Sequence, residues 1–180
     1  MAAVGPQEEA AADLVDSAAE EEVLAEEARA LAGRHMRTRE FLSKLEHDRI
    51  MHAIREAESK TSAQIRVYIQ RGKLNRDPLI AAQKKLQRLG LHKTSERNGV
   101  LIFVAPRARK FAVVGDQAIH ERCGDVYWRQ IVDRMREHFR NERFSDALVD
   151  AIRDIGEAMA THFPKRSGSA GAQSGEIVEQ

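Results

Sequence analysis

The stretch from Gly99 to Asp125, GVLIFVAPRARKFAVVGDQAIHERCGD, constrains this chain more than any other. Its six consecutive apolar residues, Val100 to Ala105, predict a strand buried on both faces or a short core helix. Pro106 and a basic turn follow, then a second apolar run from Phe111 to Val114, then Gly115-Asp116. This order reads as a hairpin that hands the backbone to a glycine-aspartate corner at the end of a sheet. Open α/β sheets tend to place ligands at such corners.

The flanking segments fix the fold class. Ser43 with Glu46 three residues later has the form of a capping box. It predicts a helix running to about Ser59, with Leu45, Ile50, Ala53, Ile54 and Ala57 inward. Ala63, Ile65, Val67 and Ile69 alternate with Gln64, Arg66, Tyr68 and Gln70, the period of a strand with one well-buried face. Asp77-Pro78 is an N-cap followed by proline at the first helical position. Leu79, Ala82, Leu86 and Leu89 recur at helical spacing after it, and Gly90 suits the C′ position. Residues 92–98 read as a polar loop. A strand–helix–strand order with this crossover implies parallel pairing. Two helices follow: one from Val126 to about Arg140 with Trp128, Ile131, Val132, Met135 and Phe139 inward, and one capped by Ser145 and ended by Pro164. The predicted fold is α/β, a small mixed sheet between helices in the order α-β-α-β-β-α-α.

Composition bounds the rest. The 180 residues, 42% hydrophobic, suffice for one domain with tails: an acidic, partly helical or disordered arm over 1–36, a folded domain over 37–164, and a flexible Ser/Gly-rich tail over 165–180. The single Cys123 excludes an intramolecular disulfide. No apolar run approaches the ~18 residues that span a bilayer, and the N-terminal sequence lacks the basic and apolar regions of a secretory signal. The expectation is a cytoplasmic protein. The net charge of +1 conceals segregation: residues 1–33 carry nine acids against Arg29 alone, while residues 34–166 carry a large basic excess. Such an arm keeps a chain soluble, or folds back to gate a basic surface.

With those residues laid out, the segment from Leu42 to Phe163 resembles the TPM domain family. The resemblance rests on Thr61-Ser62-Ala63-Gln64-Ile65-Arg66-Val67 after the opening helix and on Asn98-Gly99 leading into Val100–Ala105. It continues through the basic turn Arg107 to Lys110, Val113-Val114-Gly115-Asp116 with Ile119, and Phe144-Ser145-Asp146-Ala147-Leu148. It implies a helix–sheet–helix sandwich, acid phosphatase activity in some members, and divalent cation binding near strand ends in others. Many members carry a signal peptide and a membrane helix, which this sequence does not show. Members often have a glycine, a glutamate and a further acid after the second hairpin strand. Here Gly115, Asp116, Ile119, His120 and Asp125 fill that region, with His120 where the acid is often found.

Two site hypotheses arise. Asp116, His120 and Asp125, close in sequence to Cys123, are candidate metal ligands. The carboxylates suit Ca²⁺ or Mg²⁺, whereas His and Cys favour zinc, and the bland alternative makes Asp116 an N-cap, His120 exposed and Cys123 a filler. Arg107, Arg109 and Lys110 form a hairpin tip able to hold a phosphate or an acidic protein surface, or simply to protect an edge strand. No serine sits in a G-x-S-x-G elbow, and no nucleophile stands out. The arginines of residues 129–143 are interleaved with Asp133, Glu137 and Glu142. Without a stacking platform or groove-reading helix, binding of nucleic acid or another anionic surface by the basic domain is the weaker alternative. Peripheral contact of the basic face with an anionic membrane stays open. The leading expectation is a non-enzymatic TPM-like module that binds another protein or complex. Its alternative is a metal-assisted phosphatase, with Asp116 and Asp125 as ligands and Arg107 or Arg109 on the phosphate.

Overall fold

The computed structural model describes residues 37–165 and 177–179. Four strands make one sheet: β1 (Gln64–Ile69), β2 (Gly99–Ala105), β3 (Lys110–Gly115) and β4 (Ile177–Glu179), in spatial order β3-β2-β1-β4. The apolar run lies in β2, whose residues are all buried because both faces of the strand are covered. Val100, Ile102 and Val104 enter one core while Leu101, Phe103 and Ala105 enter the other, as the two-residue period of a strand requires. β1 runs parallel to β2, with Gln64 opposite Gly99 and Ile69 opposite Val104. β3 is antiparallel, with Val100 opposite Gly115 and Ala105 opposite Lys110.

Among the described residues, five helices accompany the sheet: α1 (Thr38–Ser43), α2 (His47–Lys60), α3 (Pro78–Arg88), α4 (Gln117–Arg140) and α5 (Phe144–His162). α2, α4 and α5 pack on one face through Ile50, Ile54, Ile119, Ile131, Met135, Leu148, Ile152 and Ile155. α3 covers the other face with Ala82 and Leu86, joined by Leu91. The sandwich predicted from the sequence is therefore present. No helix of the described residues is long and apolar enough to cross a membrane.

Local chemistry explains the boundaries of α3. Asp77 accepts hydrogen bonds from the Leu79 and Ile80 N–H groups, Pro78 occupies the first turn, and Gly90 follows the C-cap at φ 74°, a conformation that costs glycine little. Two other capping expectations are corrected. Ser43 ends α1 rather than opening α2, and its hydroxyl donates to the Glu40 carbonyl. The first N–H of the α2 entry, on Glu46, donates instead to Ser145 Oγ at 3.0 Å. Ser145 therefore serves α2 and does not cap its own helix, α5. Tyr68, expected on a polar face, is buried: its ring stacks 5.5 Å from Phe103, with Lys85 Nζ 4.0 Å above it. The reason is that α3 covers the second face.

The tail also departs from expectation. Residues 177–179, assigned to a flexible tail, form β4 parallel to β1, with Val67 opposite Ile177 and Ile69 opposite Glu179. Ile177 packs on one core and Val178 on the other. The acidic arm and the remainder of the tail lie outside the described residues. β4 reaches only the last half of β1, so the backbone of Ile65 needs other partners on that edge. Glu58 and Arg66 supply them. The Ile65 N–H donates to Glu58 Oε1 at 2.8 Å, and Arg66 Nη1 donates to the Ile65 carbonyl at 3.0 Å. Arg66 Nη1 and Glu58 Oε1 also pair with each other at 3.1 Å, with side chains only 12% and 13% exposed.

Candidate functional site

The glycine-aspartate corner forms where β3 meets α4. Two glycines flank it because neighbours crowd the backbone. A Cβ on Gly99 would collide with the Leu91 carbonyl oxygen, and one on Gly115 would lie 2.9 Å from Trp128 Cζ2. Only glycine fits such approaches without displacement. The Asp116 N–H donates to the Gly99 carbonyl at 2.8 Å, closing the last rung of the hairpin. Its Oδ1 accepts from the Gln117 N–H at 2.9 Å, so Asp116 is the N-cap of α4 and sits where the helix dipole favours a negative charge.

The principal partner of Asp116 comes from the polar loop before β2. Arg97 Nε donates to Asp116 Oδ2 at 2.6 Å, and Nη2 donates to Oδ1 at 3.0 Å. This is the bidentate fork that guanidinium and carboxylate geometry favour. The carboxylate is 7% exposed and the arginine side chain 51%. The Arg97 fork holds the Asp116 carboxyl below its ordinary value, against the opposing effect of burial and with help from the Gln117 N–H. Arg97 itself is raised by the same hydrogen bond. Arg97 adopts φ 52°, left-handed backbone that a residue with a Cβ rarely takes. Thr94 holds it there, its carbonyl accepting from the Arg97 N–H and its hydroxyl from the Asn98 N–H. Beside this turn the buried Asn98 amide donates to Ser62 Oγ at 3.0 Å, and Ser62 in turn hydrogen-bonds to Glu96. A cleft of about 410 Å³ opens over the corner, lined among others by Gln83, Gln87, His92, Arg97, Gly115 and Asp116.

The corner lies at the amino ends of the parallel strands, since Gly115 stands opposite Val100 and Gly99 opposite Gln64. The rule that places ligands in open α/β sheets concerns carboxyl ends, and so does not apply to this corner. The metal-ligand candidates are also dispersed. Asp116 faces Arg97, while His120 Nε2 and Asp125 Oδ1 pair 3.3 Å apart with both side chains well exposed. Gly124, at φ 73° and ψ 169°, interrupts α4 between His120 and Asp125. Cys123 is half-buried, and burial pushes its thiol up. Among the described residues, no three His, Cys, Asp or Glu side chains gather to hold a metal. The donor set does not fit the divalent cation implied by the family resemblance, because a hard cation takes six or more oxygens and this corner offers one carboxylate, already engaged.

The basic turn stands elsewhere. Arg107 lies in a 3₁₀ turn over Pro106–Ala108, Arg109 follows at φ 53°, and Lys110 begins β3. The length of β3 separates them from Asp116, roughly 17 Å at about 3.4 Å per residue. Arg107 and Arg109 therefore do not share a site with Asp116, as the phosphatase alternative required. Arg97, the charge partner of Asp116, is the residue of this corner that pattern reading missed. The sequence offers only weak signs of the pairing: an acid at a glycine corner and an arginine directly before Asn98-Gly99.

Comparison with known proteins bears on this architecture. No curated protein matches the chain. It is similar to the solution structure of BA42 from the psychrophilic bacterium Bizionia argentinensis, at 29% identity and a TM-score of 0.68, over 76% of this chain and 95% of that one. It is also similar in fold to the N-terminal domain of the cg2496 protein of Corynebacterium glutamicum (18% identity, TM-score 0.50, 72% and 76% covered). A third similar fold is the N-terminal domain of a P. gingivalis protein (16% identity, TM-score 0.52, 66% and 78% covered). A family model described as the TPM domain matches residues 36–158. With the sandwich and the hairpin corner both in place within that span, this chain belongs to the TPM domain family.

Proposed function

We propose that the protein is a non-enzymatic TPM-domain module that acts as an accessory factor by binding another protein at the polar cleft beside Asp116. The observation that supports this reading is the bidentate Arg97–Asp116 pair. It occupies the one buried carboxylate at the corner, so that carboxylate is not free to hold a catalytic metal or to move a proton. The remaining cleft wall offers Gln83, Gln87 and the half-exposed Arg97 guanidinium. Amides and a guanidinium edge match the hydrogen-bonding groups of a polypeptide surface.

The test has two arms. The full chain is assayed with p-nitrophenyl phosphate across pH, with EDTA and with added Ca²⁺ or Mg²⁺, and no turnover is expected. Affinity capture of the tagged protein at low salt is run beside a Q83R/Q87R variant that fills the cleft. Partners retained by the wild type and lost by the variant are expected. Turnover that disappears in Asp116→Asn overturns the reading, and so does a partner set indifferent to the cleft substitutions.

A further inference from the structure

We infer that the Arg97 guanidinium is the resident cation of the β3–α4 corner, filling the electrostatic position that a bound divalent ion would otherwise have to fill. The inference deepens the accessory reading, and rests on it only in taking the corner as non-catalytic. Three observations carry it. First, Asp116 is almost wholly buried yet ionised, so it requires a positive partner, and the guanidinium meets both of its oxygens at 2.6 and 3.0 Å. Second, the backbone is built to deliver that side chain. Arg97 takes left-handed backbone at φ 52°, and Thr94 pins the turn on either side of its Cα. A non-glycine residue in that conformation persists only where surrounding contacts over-determine it. Third, the corner is a structural junction. Asp116 closes the hairpin through Gly99 and caps α4 through Gln117, so its charge must be balanced for both elements to meet.

The donor set argues the same way from the opposite side. The ligand candidates His120 and Asp125 pair with one another on the exposed surface, and Asp116 keeps no oxygen free of Arg97. A guanidinium brings one positive charge to one negative charge in fixed planar geometry. A hard divalent ion would bring an excess of charge and would need several further oxygens. The corner is therefore metal-independent by construction, and it should become responsive to metal only when the guanidinium is removed and a second carboxylate is put in its place.

The test uses the full chain and reads stability and Trp128 fluorescence rather than turnover. Trp128 is the only tryptophan and packs against Gly115. Wild type, Arg97→Lys and Arg97→Asp are melted in EDTA, in millimolar CaCl₂ and in millimolar MgCl₂. Wild type is expected to show the same Tm and emission in all three. Arg97→Lys should melt lower, because the fork is lost, and remain indifferent to the ions. Arg97→Asp should melt lowest in EDTA and regain several degrees in CaCl₂, the signature of a ligand that binds the folded state. If Arg97→Asp fails to fold, Arg97→Gln is compared with Arg97→Gln/Asp116→Asn. The double variant must then melt above the single one, since it removes the orphaned charge. Stabilisation of wild type by either ion overturns the inference, as does an Arg97→Asp chain as stable as wild type in EDTA, or a double variant no better than Arg97→Gln. Phosphatase turnover by the wild type would defeat the accessory reading while leaving these melts unchanged, so the two failures are distinct.

Discussion

Replacing Glu58 by alanine should destabilise the fold far more than removing an ordinary helix-surface acid. The carboxylate accepts the Ile65 N–H at 2.8 Å and pairs with Arg66 Nη1 at 3.1 Å, on the stretch of the β1 edge that β4 does not reach. Alanine leaves a buried N–H without its acceptor, a loss of about 1–3 kcal/mol. It also leaves a guanidinium, 12% exposed, without this carboxylate. Breaking a fully buried pair costs about 3–5 kcal/mol. Residual water access and the higher helix propensity of alanine lower the sum, giving about 2–3 kcal/mol for Glu58→Ala. Glutamine keeps an oxygen for the Ile65 N–H and loses only the charge, so Glu58→Gln should cost about half as much. For a domain of this size each kcal/mol moves Tm by roughly 3–5 °C, so Glu58→Ala should melt roughly 6–15 °C lower. Urea unfolding of the full chain gives the free energies directly, and Glu58→Ala/Arg66→Met should recover part of the loss by removing the buried cation that has lost this carboxylate. A Glu58→Ala chain within about 0.5 kcal/mol of wild type refutes this account of the edge, and so does a glutamine variant as damaged as the alanine one.

Two further outcomes follow from contacts in the fold. An alanine at Gly156 would place its Cβ 2.6 Å from the Ala57 Cβ, where α2 and α5 touch. Gly156→Ala should lose about 1–3 kcal/mol in urea unfolding despite alanine's better helix propensity, and Ala57→Gly/Gly156→Ala should regain part of it. Asp116 is held below its ordinary value of 3.8 chiefly by the Arg97 hydrogen bond. Its contribution to stability is therefore present above that ordinary value and is lost as the pH falls towards the lower folded value. Melting curves between neutral and strongly acidic pH should show a shallower acid decline in Asp116→Asn than in wild type. Identical slopes would contradict the assignment.

What was legible in the sequence was chiefly local. Asp77-Pro78 and Gly90 delimit α3 because capping and positive φ are decided by a few adjacent residues. The run Val100–Ala105 announced a strand covered on both faces because nothing polar interrupts it. The Ser43–Glu46 pair shows where local reading stops. The signature of a capping box is present, but Phe41 packs 5.0 Å from Phe144, α1 is drawn onto the core, and the acceptor for Glu46 comes from Ser145, 99 residues away. Tyr68 alternates with apolar neighbours as a surface residue does, and only the arrival of α3 buries it. The corner was visible as Gly115-Asp116, but its partner was not. Arg97 sits in a polar loop with no period to mark it, and its pairing depends on how that loop folds against β3. Nearness in sequence likewise misled for His120 and Asp125, since the cap turns Asp116 towards Arg97 while Gly124 breaks the helix ahead of Asp125.

The fourth strand changes where this domain should be cut. The family match stops at residue 158 and α5 at His162, so a boundary drawn by homology would fall before Ile177. A chain trimmed there gives up the strand that, among the described residues, is hydrogen-bonded to the far side of Val67 and Ile69, and it presents a raw β margin to every other molecule in solution. Such margins recruit strands from neighbours. Self-association in a shortened version would then report the trimming rather than the biology.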